Sequence, residues 1–175
     1  MSYKKICPVC GAGHLTRQSV VEKITYKGIT EGYDHVFSVC DVCLVEQADA
    51  EEMRLNKRAV IRLKKVIDGL LVGDELKTIR KDWRITQDEA SLIFGGGPKA
   101  FSKYENDDIA QSESMDKLIR TAAKFPQVFR DLCATVGVKP SVVEVTPLRI
   151  QHSSFTWSGS GEIMTAQPDV LENVH

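Results

Sequence analysis

No stretch of this 175-residue chain approaches the roughly 18 uninterrupted apolar residues that a membrane-crossing helix requires, so a helical span is excluded. Met1 to Ile6 lacks the apolar centre of a secretory leader, and a cytoplasmic location is expected. An excess of one charge sign is missing too: 23 Lys and Arg stand against 24 Asp and Glu, for a net charge of −1. The balance is nonetheless uneven along the chain. Between Met53 and Arg84 ten basic residues face four acids, a local +6, whereas Ser141 to His175 has one Arg against four acids, a local −3. A basic middle in a near-neutral protein is compatible with nucleic-acid contact, although exposed helices also carry such charge for solubility alone.

The equipment of an enzyme is wanting as well. No Ser, His and Asp order, phosphate-binding loop or open metal site stands out, and Gly95-Gly96-Gly97 has neither the spacing nor the lysine of a phosphate loop. The absence of a His-x-Glu unit beside a Cys-x-x-Cys argues against a zinc deaminase. A non-enzymatic protein is expected.

What is present begins with five cysteines, Cys7, Cys10, Cys40, Cys43 and Cys133. In a reducing compartment clustered cysteines hold metal more often than they form disulfides. Cys7-Pro8-Val9-Cys10 and Cys40-Asp41-Val42-Cys43 are separated by 29 residues, and each pair can wrap one edge of a tetrahedral ion. Four thiolates would leave no position for water or substrate, so the expected ion is one structural Zn2+. A rubredoxin-like iron centre and a redox disulfide are the competing readings. Lys4, Lys5 and Arg17 are placed to offset part of the thiolate charge; His14 and His35 read as surface residues of strands, and Cys133 as a buried helix residue.

Between the cysteine pairs, Val20 to Tyr26 and His35 to Val39 alternate as short antiparallel strands do, with turns expected at Lys27-Gly28 and Glu31-Gly32. A unit this small needs a staple, which the cysteines supply. From Ala48 to about Leu71, Val60, Leu63, Val66, Ile67 and Leu70 recur at helical spacing and predict one amphipathic helix. Five shorter helices follow. The first runs from about Asp74 to Trp83, and the second opens at Thr86, with Glu89 completing a capping box. The triple glycine breaks the chain, and Pro98 reads as the first residue of the third, which lasts to about Glu105. The fourth spans about Glu113 to Lys124, and the last ends near Val136. Val142 to Ile150 alternates as one strand, and the Ser- and Gly-rich remainder reads as a tail.

The whole pattern predicts an α+β protein. A small zinc-bound β-hairpin domain over 1–47 is joined by a connecting helix over 48–72 to an all-α, five-helix helix-turn-helix domain over 73–137. A C-terminal extension over 138–175, flexible or ordered by a partner, completes it.

Thr86 to Asn106 has the shape of a helix-turn-helix: a capped helix, a glycine turn and a second short helix with polar residues at its start. In that motif the start of the second helix meets base edges in the major groove. Lys99, Ser102 and Lys103 occupy that position, and Gln87, at the capped start of the preceding helix, is placed to touch a phosphate. Phe101 and Tyr104 are expected to pack on Ala90, Ile93 and Phe94, and Glu105 to serve capping or packing. The alternative is a helical hairpin with a solvated lysine face.

Taken together, Cys-Pro-Val-Cys-Gly, the second Cys-x-x-Cys, Ile85-Thr86-Gln87-x-Glu89-Ala90 and Phe94-Gly95-Gly96-Gly97-x-x-Ala100-Phe101-Ser102-x-Tyr104-Glu105 resemble the MqsA antitoxin family over roughly residues 5 to 135. The resemblance implies a YgiT-type zinc domain followed by a helix-turn-helix of the Xre/Cro type. It further implies a type II antitoxin whose zinc domain embraces a toxin, commonly an RNA-cleaving enzyme. Its helix-turn-helix domain would dimerise on palindromic operator DNA and repress its own operon. Where that family touches bases with Asn and Arg, this chain has Lys99 and Lys103, which implies a different target sequence. The alternative function is a phage or host transcriptional regulator with a structural zinc domain and no toxin partner.

Overall fold

The computed structural model describes residues 5–139. The expected strand at Val142 to Ile150 and nearly all of the expected extension lie outside the described residues. The protein is α+β: among the described residues, a three-stranded antiparallel sheet in the order β1-β2-β3 is followed by six helices. The strands are β1 (Leu15–Tyr26), β2 (Ile29–Cys40) and the short β3 (Glu46–Gln47). The helices are α1 (Ala50–Ile67), α2 (Gly73–Asp82), α3 (Gln87–Phe94), α4 (Ala100–Glu105), α5 (Glu113–Lys124) and α6 (Pro126–Thr135).

The first two strands form one long hairpin, paired from Leu15 with Cys40 at its base to Tyr26 with Ile29 at its tip. Lys27 and Gly28 close it, both with positive φ (49° and 79°), the backbone hand that suits the twist of the strands. The second expected turn, Glu31-Gly32, is instead an interior part of β2, where Gly32 pairs with Lys23. Glycine is there because a Cβ at residue 32 would lie 2.8 Å from Cγ1 of Val21 across the hairpin. The need is close approach, not a bend.

Asp49 caps α1 by accepting the N–H of Glu52, whose carboxylate accepts the N–H of Asp49 in return. The helix ends at Ile67, four residues before the expected Leu71, because Gly69 turns left-handed (φ 68°). Gly69 and Leu70 then donate back to the carbonyls of Val66 and Lys65, a Schellman ending. Burial on α1 also departs from the apolar stripe: Val66 is exposed, and the buried side chains are Glu52 and Lys65.

Glu52 and Asn56 dock α1 on the sheet. Ser38 Oγ donates to Glu52, and the Asn56 amide exchanges two hydrogen bonds with the backbone of Val36 at 2.7 and 2.8 Å. Asn56 thereby satisfies backbone of β2 that the short β3 does not reach.

Helices α2 to α6 share one apolar core whose members run from Leu71 to Cys133. Trp83 stacks on Phe129 with ring centroids 4.3 Å apart and on Phe94 at 5.3 Å. Outside that core, the buried apolar residues among those described are Cys7 and Cys40. Among the described residues the sheet therefore buries no aliphatic side chain fully, and its cohesion rests on the hairpin, on α1 and on what the cysteines hold.

Candidate metal centre and nucleic-acid face

Pairing Leu15 with Cys40 sets the chain before β1 beside the chain after β2, so the two Cys-x-x-Cys segments meet at the base of the hairpin. Each folds as a tight knuckle. Gly11 donates to the Cys7 carbonyl and Leu44 to the Cys40 carbonyl, and both donors have positive φ (66° and 59°). Cross-links fasten one knuckle to the other: the His14 N–H donates to Asp41 Oδ1 at 2.7 Å, and the Asp41 N–H donates to the His14 carbonyl. Gly13 admits no side chain here, since its Cβ would lie 2.4 Å from the Cys40 sulfur.

The four Sγ atoms of Cys7, Cys10, Cys40 and Cys43 lie within 4.8 Å of one another. Cys7 and Cys43 are 3.7 Å apart, as are Cys10 and Cys40. A regular tetrahedron with metal–sulfur bonds near 2.3 Å has edges of about 3.8 Å, so the set fits one four-coordinate ion. His14 is exposed beside Asp41, and His35 lies on β2 beside Tyr33 and Glu22; neither belongs to the sulfur cluster.

Backbone donors prepare the sulfurs for deprotonation. The N–H groups of Ala12 and Gly13 hold the Cys10 thiol down at about 6, and those of Cys43 and Val42 lower Cys40 against the effect of burial. Cys43 accepts the Val45 N–H, but burial and the three neighbouring sulfurs push it up to about 12. The last thiol must lose its proton beside negative charge already gathered, a penalty that a dication among the sulfurs relieves. The expected basic counter-charge is not directed at the cluster. Lys5 pairs with Asp49, and Arg17 with Glu51 and Glu52, because the acidic first turn of α1 lies against the strands. Lys4 lies outside the described residues.

The second expected site lies on α4. Gly95, Gly96, Gly97 and Lys99 all have positive φ (84°, 96°, 85° and 64°), so the helix begins at Ala100, two residues later than Pro98 would set it. Ala100, Phe101 and Tyr104 are buried against α2 and α3, while Lys99 and Lys103 are exposed and Ser102 is half-buried. Lys103 N–H donates to the Lys99 carbonyl, which places the two lysines one helical turn apart. The α3 start is as expected: Thr86 Oγ1 accepts the Glu89 N–H at 3.2 Å, and Glu89 accepts the Thr86 N–H at 2.7 Å.

Gln87 does not stand alone. Its Nε2 donates to Glu105 Oε2 at 2.7 Å, and the buried Glu105 is clasped by two donors of Arg80, Nε and Nη2, on one edge of the guanidinium. Arg80 also donates to the Ile85 carbonyl at 2.9 Å, so one ion pair ties α2, the start of α3 and the end of α4 together.

An antitoxin family model described as "Antitoxin component of bacterial toxin-antitoxin system, MqsA" matches residues 5–133. The chain belongs to the MqsA antitoxin family. It is 31% identical over 133 residues to Antitoxin MqsA of Escherichia coli (strain K12), a match that covers 72% of this chain and 98% of that relative. In this antitoxin-family chain the matched region contains all four clustered cysteines and the whole of α4. Residues beyond 133 fall outside the match. Among the described residues, no helix is long and apolar enough to cross a membrane.

Sequence reasoning missed three features of these sites. Gly13 reads as an ordinary loop glycine until the Cys40 sulfur is seen beside it. Arg80 reads as one of many basic residues, although its ion pair is what holds Gln87. Lys65 falls between the apolar positions of α1 yet is fully buried. No local signal marks any of them, because each is defined by a neighbour at least 25 residues away.

Proposed function

We propose that the chain is the antitoxin of a type II pair, with residues 1–47 binding and neutralising a cognate toxin of the endoribonuclease class. Residues 73–137 act as a homodimer on palindromic operator DNA, where α4 enters the major groove and represses the operon. Residues 48–72 connect the two. Lys99, Ser102 and Lys103 face the bases, and Gln87, oriented by Glu105, presents its backbone end to a phosphate. Cys7, Cys10, Cys40 and Cys43 hold one zinc ion per chain. Bound zinc contributes folding energy to a segment without an aliphatic core and performs no reaction, since four sulfurs complete its coordination.

The observation that carries the reading is the presence of four clustered cysteine sulfurs, spaced as one tetrahedral ion requires, and of an exposed lysine-bearing short helix in one chain of this family. Further support comes from Ile6, Val9, Val42 and Leu44, large apolar side chains on and beside the knuckles that all stand exposed, as an interface with another protein would use them. A cytoplasmic setting, where thiols stay reduced, goes with the zinc site.

Co-expression with the adjacent open reading frame, followed by affinity capture and operator gel shift, tests the proposal. The expected result is a stable complex that restores growth, together with a shift of promoter DNA containing an inverted repeat. A chain that neither relieves the neighbour's toxicity nor shifts its own promoter overturns it. Metal analysis of the purified protein is expected to give one zinc per chain, and iron in its place would replace that part of the reading.

A further inference from the structure

In an antiparallel hairpin, directly opposed residues aim their backbone groups either at each other or both outward, in alternation. On β2 the outward set is marked by its partners. The N–H and carbonyl of Val36 both bond to Asn56, and the Cys40 N–H donates to the Val45 carbonyl at 3.1 Å. Ser19 and Leu15 lie opposite these two residues, so the odd-numbered residues of β1 point away from β2. The Leu15 N–H follows this parity and donates to the Lys5 carbonyl at 2.8 Å. Further along, Ser19, Val21, Lys23 and Thr25 turn their N–H and carbonyl groups outward, and no backbone group among the described residues takes them.

The two edges of the sheet thus differ. That of β2 is closed by β3 and by Asn56. That of β1 is open over a span of ordinary strand length. Leu15–Tyr26 contains no proline or glycine, its register with β2 runs without a bulge, and Val20 and Val21 are 46% and 71% exposed. Such an edge is a template for another strand, and proteins that keep one unpaired cover, twist or charge it. The charged residue among the four outward ones is Lys23, which is exposed.

Lys23 decides what can pair. From Arg17 to Thr25 a second copy offers Arg17, Ser19, Val21, Lys23 and Thr25 at the matching positions, none of them acidic. Pairing centred on Val20 would set Arg17 of one copy against Lys23 of the other, and like charges directly opposed are unfavourable. An acid opposite Lys23 is favourable for the same reason. The complementary occupant is therefore a strand of another protein, with an acidic side chain facing Lys23 and an apolar one facing Val21. At its base the same edge runs into Ile6, which is bridged to His14, and so into the exposed side chains of the knuckles.

We propose that the outer edge of β1 from Ser19 to Thr25 receives an extended strand of the partner protein, bound through main-chain hydrogen bonds and aligned by an acid at Lys23. The proposal rests on the reading of residues 1–47 as the toxin-binding part and names the surface they use.

Hydrogen exchange on the zinc-loaded full chain, alone and with the purified product of the adjacent open reading frame, tests it. In the complex the amides of Ser19, Val21 and Lys23 are expected to slow by about 10-fold or more, while those of Val20 and Glu22, already bonded to β2, change little. Val21→Pro removes an outward N–H and leaves the ladder with β2 intact, as proline on an edge strand does. It is expected to weaken binding of that product by about 10-fold or more, with zinc content, hairpin chemical shifts and operator shift unchanged. Val21→Thr keeps the N–H and the branched side chain and is expected to bind as the unaltered chain does. If the unaltered chain does not bind the product at all, the toxin-binding reading itself falls, and the edge proposal with it. Binding that survives Val21→Pro, with the three outward amides unprotected in the complex, overturns the edge alone. Outward amides already protected in the chain by itself give the edge to a segment of this chain, or to a second copy if protection grows with concentration, and either overturns the proposal.

Discussion

Lys99 is the residue on which the DNA reading is most exposed to test. Its left-handed backbone ends the glycine turn, and its exposed side chain shares a face with Lys103 one turn later. If the lysines meet base edges, Lys99→Ala and Lys103→Ala each weaken operator binding by about 1–3 kcal/mol and relax selectivity at one position. If they meet phosphates, the loss is even across sequences and the salt slope shrinks by about one. Fluorescence anisotropy at several salt concentrations separates these outcomes, and a change of neither kind takes the lysines out of the interface. Gly13 offers a test at the metal centre. A methyl group there collides with the Cys40 sulfur and Asp41, so Gly13→Ala is expected to cost about 10–100-fold in zinc affinity, as disturbance of a ligand's support does. Competition with a chromophoric chelator reads it, and an unaltered affinity contradicts the geometry. The cysteines were legible because their spacing is chemistry in itself; Gly13 was not, because its role is set by a sulfur 27 residues away.

At the level of elements, sequence signals were reliable where one segment carries the whole instruction. Thr86 and Glu89 start α3 through hydrogen bonds within four residues, and Lys27-Gly28 closes the hairpin through its own backbone. They failed where two segments share it. Gly32 looked like a turn and is a strand residue crowded by Val21, and α1 was read from its apolar spacing although Glu52 and Lys65 are its buried members. The contact between α1 and the loop after α4 yields a pH prediction. The Arg58 guanidinium holds the Asp108 carboxyl below the ordinary aspartate range, against the opposing effect of burial. A carboxyl lowered by folding contributes stability that is complete above its unfolded value near 3.9 and is lost as pH falls through its folded value. Side-chain 13C titration is expected to place the Asp108 midpoint below 3.9, and Arg58→Ala to raise it toward that value. An unmoved midpoint in the variant dissolves the pair.

For the molecule as a whole, the decisive asymmetry is that the apolar core lies between Leu71 and Cys133 and draws nothing from the strands. Cys40→Ser is therefore expected to abolish metal binding and unfold the hairpin and its knuckles, while α2–α6 keep their structure. Amide spectra of the variant, read beside those of the zinc-loaded protein, check this; collapse of the helical signals as well would show that the bundle depends on the sheet. The sequence by itself determined the α+β class, the four-cysteine set, the capped helix before the triple glycine and the family. Each is carried by residues near one another in the chain or by chemistry that admits few alternatives. Only the tertiary structure decided that Lys65 and Asp107 face each other, that Glu105 holds Gln87 and Arg80, and that Arg120 reaches the Gly69 carbonyl. These are pairings of polar and charged groups 18 to 51 residues apart, and periodicity registers burial of apolar side chains, whereas a buried polar or charged group becomes tolerable only once its distant partner has been folded against it.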